Sequence, residues 1–103
     1  MHLLATLNIK SPTNDDKIFN LEFKQDETLF DAMKAFDESS DQFTFEYSTS
    51  EYGAFVTSIN NSPADSSKNE FWKLIINGED AQVGLSDYKL NKGDNILWQI
   101  DHF

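Results

Sequence analysis

Nearly every apolar run in this chain repeats with a period of two, and one short segment breaks that period. Leu3, Ala5, Leu7 and Ile9 alternate with Leu4, Thr6 and Asn8. Phe19, Leu21 and Phe23 alternate with Ile18, Asn20, Glu22 and Lys24. Successive side chains of a strand point to opposite faces, so such alternation predicts half-buried strands. The turn cluster Ser11-Pro12-Thr13-Asn14-Asp15-Asp16 between the two runs makes them an N-terminal hairpin.

The period then changes. Leu29, Met33 and Phe36, with Ala32 and Phe30, form an apolar stripe at helical spacing. Thr28 can cap this segment, with Asp31 three residues on, so a helix is predicted over about residues 29–37. One amphipathic helix has to bury its stripe against a sheet, which makes Met33 and the aromatic residues core rather than a cofactor box.

Period two returns in Phe43, Phe45 and Tyr47, in Phe55, Thr57 and Ile59 after Gly53, in Trp72, Leu74 and Ile76, and in Ile96, Trp98 and Ile100. Asn60 to Asn69 reads as a polar loop, while Asn77-Gly78 and Asn91-Lys92-Gly93-Asp94 read as tight turns. The predicted fold class is α+β and predominantly β: a small antiparallel domain with one α-helix after an N-terminal hairpin. At 103 residues, with no linker or repeat, the whole chain (1–103) is expected to be one domain.

Charge narrows the partners. Eight Lys, no Arg and eighteen acids give a net charge of −10. A phosphate backbone repels such a surface, and the guanidinium fork that reads phosphate or guanine is missing. Nucleic acid and anionic membranes are therefore not expected partners. Eight of the acids lie between Asp26 and Glu51 against Lys34 alone, a net −7 that reads as a solvated face. No calcium-loop spacing occurs in that stretch, and no apolar run approaches the ~20 residues that span a bilayer. Met1-His2-Leu3-Leu4-Ala5 is too short for a signal peptide and lacks a basic start, so a leader and an anchor are expected outside this chain.

No catalytic or metal constellation stands out. There is no Cys, and the two histidines, His2 and His102, sit near the two ends without a third ligand. Terminal strands could pair and bring them together, but two imidazoles alone make a poor metal site. No serine sits in a nucleophile elbow, and the four glycines are isolated, which leaves no phosphate cradle. A non-catalytic binder is expected, with no intrinsic cofactor. Tyr52, Phe71, Trp72 and Tyr88 lie at strand starts or in loops, where a ring can show a flat face to a planar ligand or plug the core.

Several motifs, taken in order, carry a resemblance. They are Thr28-Leu29-Phe30-Asp31-Ala32-Met33, Phe43-Thr44-Phe45-Glu46 and the run from Tyr52-Gly53-Ala54-Phe55 through Ser58-Ile59-Asn60-Asn61. Phe71-Trp72-Lys73-Leu74 with Asn77-Gly78, then Gly84-Leu85-Ser86-Asp87-Tyr88 and Lys92-Gly93-Asp94-Asn95-Ile96, complete the set. Together they resemble the C-terminal domain of the transcobalamin and intrinsic factor family, which bacteria carry alone or in surface proteins. The resemblance implies a β-rich domain with one helix. In the animal carriers that domain covers one face of cobalamin, opposite a helical barrel that this chain lacks.

Carried over by position, the implied ligand-binding residues are Trp72, Leu74 and Ala81, with Lys73 and Val83 beside them and Ser58 and Asn60 as neighbours. Asn60, Asn61 and Gln82 are candidates to pair with the amide arms of a corrinoid. The resemblance implies a cobalamin-like ligand, a second domain or surface protein that completes the site, and a location outside the cell or on its surface. The alternative is an interaction module of a surface protein that has no small-molecule site.

Overall fold

The computed structural model describes residues 3–11, 16–51 and 53–102. The expectations placed on His2, on the centre of the first turn and on Tyr52 fall outside these residues. The first hairpin forms as the alternation predicts. Strand β1 (Leu3–Lys10) pairs antiparallel with β2 (Lys17–Phe23), with Leu7 opposite Phe19. Ala5, Leu7, Ile9, Leu21 and Phe23 are buried on one face, while Leu4 and Ile18, in the other phase, are exposed.

Helix α1 (Leu29–Ser39) runs two residues beyond its predicted end. Thr28 caps it, its hydroxyl accepting the Asp31 N–H at 3.2 Å, an interaction worth about 1 kcal/mol. The first helical amides have no partner within a helix. Here they find carbonyls in a distant loop: Leu29 N–H donates to Tyr88 and Phe30 N–H to Leu85. Leu29, Ala32 and Met33 are buried, as the stripe requires.

The later strands are β3 (Phe45–Ser50), β4 (Gly53–Ile59), β5 (Ser62–Pro63), β6 (Glu70–Ile76), β7 (Glu79–Asp80) and β8 (Asn95–His102). They form two sheets, one ordered β2-β1-β8-β6-β7 and the other β3-β4-β5. The antiparallel expectation needs one correction, because β8 lies parallel to β1, with Leu7 level with Ile96 and Ile9 level with Trp98. A parallel pair joins segments far apart in sequence, and a two-residue period carries no sign of it. This pairing also puts Leu3 and His102 at opposite ends of the sheet, since Lys10 lies level with Gln99.

The expected loop from Asn60 to Asn69 holds more structure than its polarity suggests. Asn60 and Asn61 have φ of 50° and 65° and close a two-residue hairpin into β5. Positive φ at both central residues is what a type I′ turn needs, and Asn tolerates it. A short 3-10 turn, Ser66–Lys68, follows. Asn77-Gly78 makes the predicted tight turn between β6 and β7, with φ of 53° and 84°.

The core lies between the sheets and under α1. Phe36 stacks on Phe43, and Phe43 on Phe45, with ring centroids 5.1 and 5.7 Å apart. Phe19 meets both Phe36 and Phe43 edge-on. Each fully buried side chain of this size contributes about 1.5–3 kcal/mol of burial free energy.

Candidate functional site

Where β4 passes β6, the two sheets leave a cavity of about 330 Å3. Trp72 and Leu74 of β6 and Trp98 of β8 line it, because antiparallel register sets Leu74 opposite Trp98. Ala54 and Val56 of β4, and Leu85 from the loop after β7, contribute further wall. Phe55 and Val83 also line the cavity, yet are 52% and 47% exposed. Two half-exposed apolar side chains beside an apolar hollow form a surface that gains by being covered.

The helix start holds this wall in place. Leu85 supplies both a pocket side chain and the carbonyl that accepts Phe30 N–H. Ser86 Oγ accepts the Ala54 N–H at 3.2 Å and so ties β4 to the same loop. Gly53, with φ of 106°, sits against that hydroxyl, and a Cβ there would collide with it. The loop after β7 is pinned by Ala81 N–H, which donates to the Leu74 carbonyl at 3.1 Å.

Five of the seven expected ligand residues, Trp72, Lys73, Leu74, Ala81 and Val83, come together at this cavity. Ser58 does not join them; it is buried in β4, opposite Glu46 and Pro63. Asn60 does not either. Its Oδ1 accepts the Thr44 N–H at 2.9 Å, and with Asn61 it borders a separate cavity of about 390 Å3 beside Lys17 and Asp41. Gln82 donates to the Asp80 carbonyl at 3.2 Å.

The aromatic candidates play different parts. Trp72 is 3% exposed, and its indole N–H donates to the Ser62 carbonyl at 3.0 Å, so it mostly plugs the core while forming part of the pocket wall. Tyr88 is tied to Asp94 at 2.6 Å. Phe55, Leu85 and Trp98 were not foreseen as pocket residues. Trp98 is as buried as Trp72, but its indole N–H has no partner among the described residues.

The pocket offers mostly apolar surface, and the two charged residues in its lining, Lys73 and Asp80, are paired with each other. Lys73 Nζ lies 3.2 Å from Asp80 and 3.4 Å from Asp101, so its cation is already answered by two carboxylates. The Asp80 hydrogen bond, with that of Asp101, holds its ammonium above the usual range. Among the described residues no group of three or more His, Asp or Glu is placed to hold a metal ion. No helix among them is long and apolar enough to cross a membrane.

The sequence pattern of a family described as Domain of unknown function (DUF4430) matches residues 26–102. No curated protein matches the chain. The whole chain superposes on part of haptocorrin in its complex with Cbi, with a TM-score of 0.87 and 16% identity. It spans about a quarter (26%) of that chain. A protein from Ruminococcus gnavus ATCC 29149, provisionally described as metal binding, has a TM-score of 0.73 and 22% identity, with 98% of each chain covered. The expected transcobalamin-like fold is therefore the fold observed.

Proposed function

The chain belongs to the DUF4430 family, and from that premise we propose that it is a non-catalytic ligand-binding module whose inter-sheet pocket covers one face of a broad, partly apolar ligand. A corrinoid is the ligand that the likeness to haptocorrin favours. The observation that carries the reading is the hollow between β4 and β6 with Phe55 and Val83 exposed beside it. Ligand pockets that enclose a small molecule run to about 300–1,000 Å3. At about 330 Å3 this one is near the lower bound, which suits a half-site. The other half then comes from a further domain or a second protein, as the quarter of haptocorrin that this chain spans suggests. The module acts at the cell surface or outside it in this reading.

The test is a titration of the 103-residue chain with cobinamide, followed by Trp fluorescence, since Trp72 and Trp98 both line the pocket. Quenching that saturates, and that is lost when Val83→Asp puts a charge in the apolar wall, supports the reading. Unchanged fluorescence at high micromolar ligand, with the protein folded, overturns it.

A further inference from the structure

Two tryptophans line the β4–β6 pocket, and only one of them has spent its N–H. The Trp72 indole donates to the Ser62 carbonyl. Trp98 is just as buried, at 3% exposed, and its Nε1–H meets no acceptor among the described residues. An indole nitrogen is a donor and nothing else. A buried donor left without an acceptor costs about as much as a lost hydrogen bond, so folded proteins keep few of them. Such an atom calls for an acceptor from outside the fold, and its surroundings restrict where that can enter. The strand neighbours of Trp98 are Ile9 on β1 and Leu74 on β6, whose side chains carry no polar atom. Trp98 lines the hollow between β4 and β6. It lines neither the cavity beside Lys17 nor one of about 500 Å3 between β2 and α1.

The rest of the lining narrows the chemistry. Ala54, Val56 and Leu85 add apolar wall and no polar side chain. Lys73 is held between Asp80 and Asp101, so it is no free cation for an anion, and an anion would meet Asp80 in the same lining. Moving a charge into apolar surroundings also costs far more than moving a neutral carbonyl. We propose that Trp98 is the specificity-determining donor of this pocket. The ligand is an apolar ring or chain that carries a neutral carbonyl oxygen, and that oxygen accepts the Trp98 N–H. This inference rests on the hollow being a ligand pocket, and not on the ligand being a corrinoid. A site built to hydrogen-bond one ligand group rejects the analogue that lacks it, because its own buried polar atom is then left unpaired.

The probes are cyclohexanone and methylenecyclohexane, which share a ring and an exocyclic double bond and differ in the acceptor. Each is titrated into the isotopically labelled 103-residue chain while NMR follows the two indole N–H signals. The proposal expects cyclohexanone alone to move the Trp98 indole proton downfield, saturably and with slowed exchange. Trp98→Phe removes the donor and enlarges the hollow for both probes alike, so the readout is the ratio of the two affinities. That ratio, ketone over hydrocarbon, should fall about tenfold in the variant. Cyclohexanecarboxylate should bind about tenfold more weakly than the ketone. The proposal is overturned if cyclohexanone leaves the Trp98 signal in place, or if the hydrocarbon moves it equally. It is also overturned if the ratio is unchanged in Trp98→Phe, if the carboxylate binds as well as the ketone, or if the free chain holds a long-lived water on the Trp98 N–H. A separate cobinamide titration tells the two readings apart. Cyclohexanone bound at Trp98 without cobinamide binding keeps this inference and removes the corrinoid, while cobinamide bound with the Trp98 indole unmoved does the reverse.

Discussion

The indole N–H of Trp72 donates to the main-chain carbonyl of Ser62 at 3.0 Å, joining β6 of one sheet to β5 of the other. Trp98, opposite Leu74 on the neighbouring strand, has an equally buried indole with no partner among the described residues. The same substitution should therefore cost different amounts at the two sites. Trp→Phe leaves a cavity at either position. Only at position 72 does it also remove a buried hydrogen bond. Urea unfolding of Trp72→Phe and Trp98→Phe should show the first less stable by about 1–3 kcal/mol. Equal losses would mean that the Trp72 bond contributes nothing net.

Asp94 should give the fold an acid limit. Burial pushes its carboxyl up, but hydrogen bonds from Tyr88, Asn77 and the Asn91 N–H outweigh burial and hold it below the usual 3.8. A lowered folded value means stability that is present above 3.8 and is lost as pH falls through the folded value. Burial, and then the bond to Asp94, push the Tyr88 phenol above 10.0, so its contribution is present below 10.0 and is lost as pH rises through the folded value. Tyr88→Phe should cost about 1–3 kcal/mol at neutral pH and flatten the alkaline limb. Asp94→Asn should flatten the acid limb. Melting curves across pH check both, and an unchanged acid limb in Asp94→Asn contradicts the assignment.

Gly53 answers two demands at once, a φ of 106° and close approach by the Ser86 hydroxyl. Gly53→Ala should cost about 1–3 kcal/mol from backbone strain, and more from the collision. Pairing it with Ser86→Ala should recover the collision part alone. If Gly53→Ala melts with the parent, β4 is not held against the 84–88 loop as described.

Much of the fold was legible because its signals are local. The stripe through Leu29, Met33 and Phe36, the Thr28 cap and the Asn77-Gly78 turn each lie within a few residues of what they specify. The β1–β8 parallel pairing is not local, and no periodicity records it. Strands β5 and β7 have two residues each, too few to show a period. A β-bulge between Glu46 and Tyr47 shifts the register, and β4 buries Val56 and exposes Phe55, a face that alternation alone cannot assign. Position in the family resemblance brought out Trp72, Leu74, Ala81 and Val83. Phe55, Leu85 and Trp98 join them only because two sheets pack at one place, while Asn60 is occupied in holding a turn to Thr44.

The most direct measurement is the footprint of cobinamide on amide and indole NMR signals of the folded chain. The account predicts saturable shifts gathered at Ala54, Phe55, Leu74, Ala81 and Val83 and at the indole of Trp98, with residues 17–24 unmoved. No shift at saturating ligand, or shifts that leave the β4–β6 pocket untouched, would contradict it.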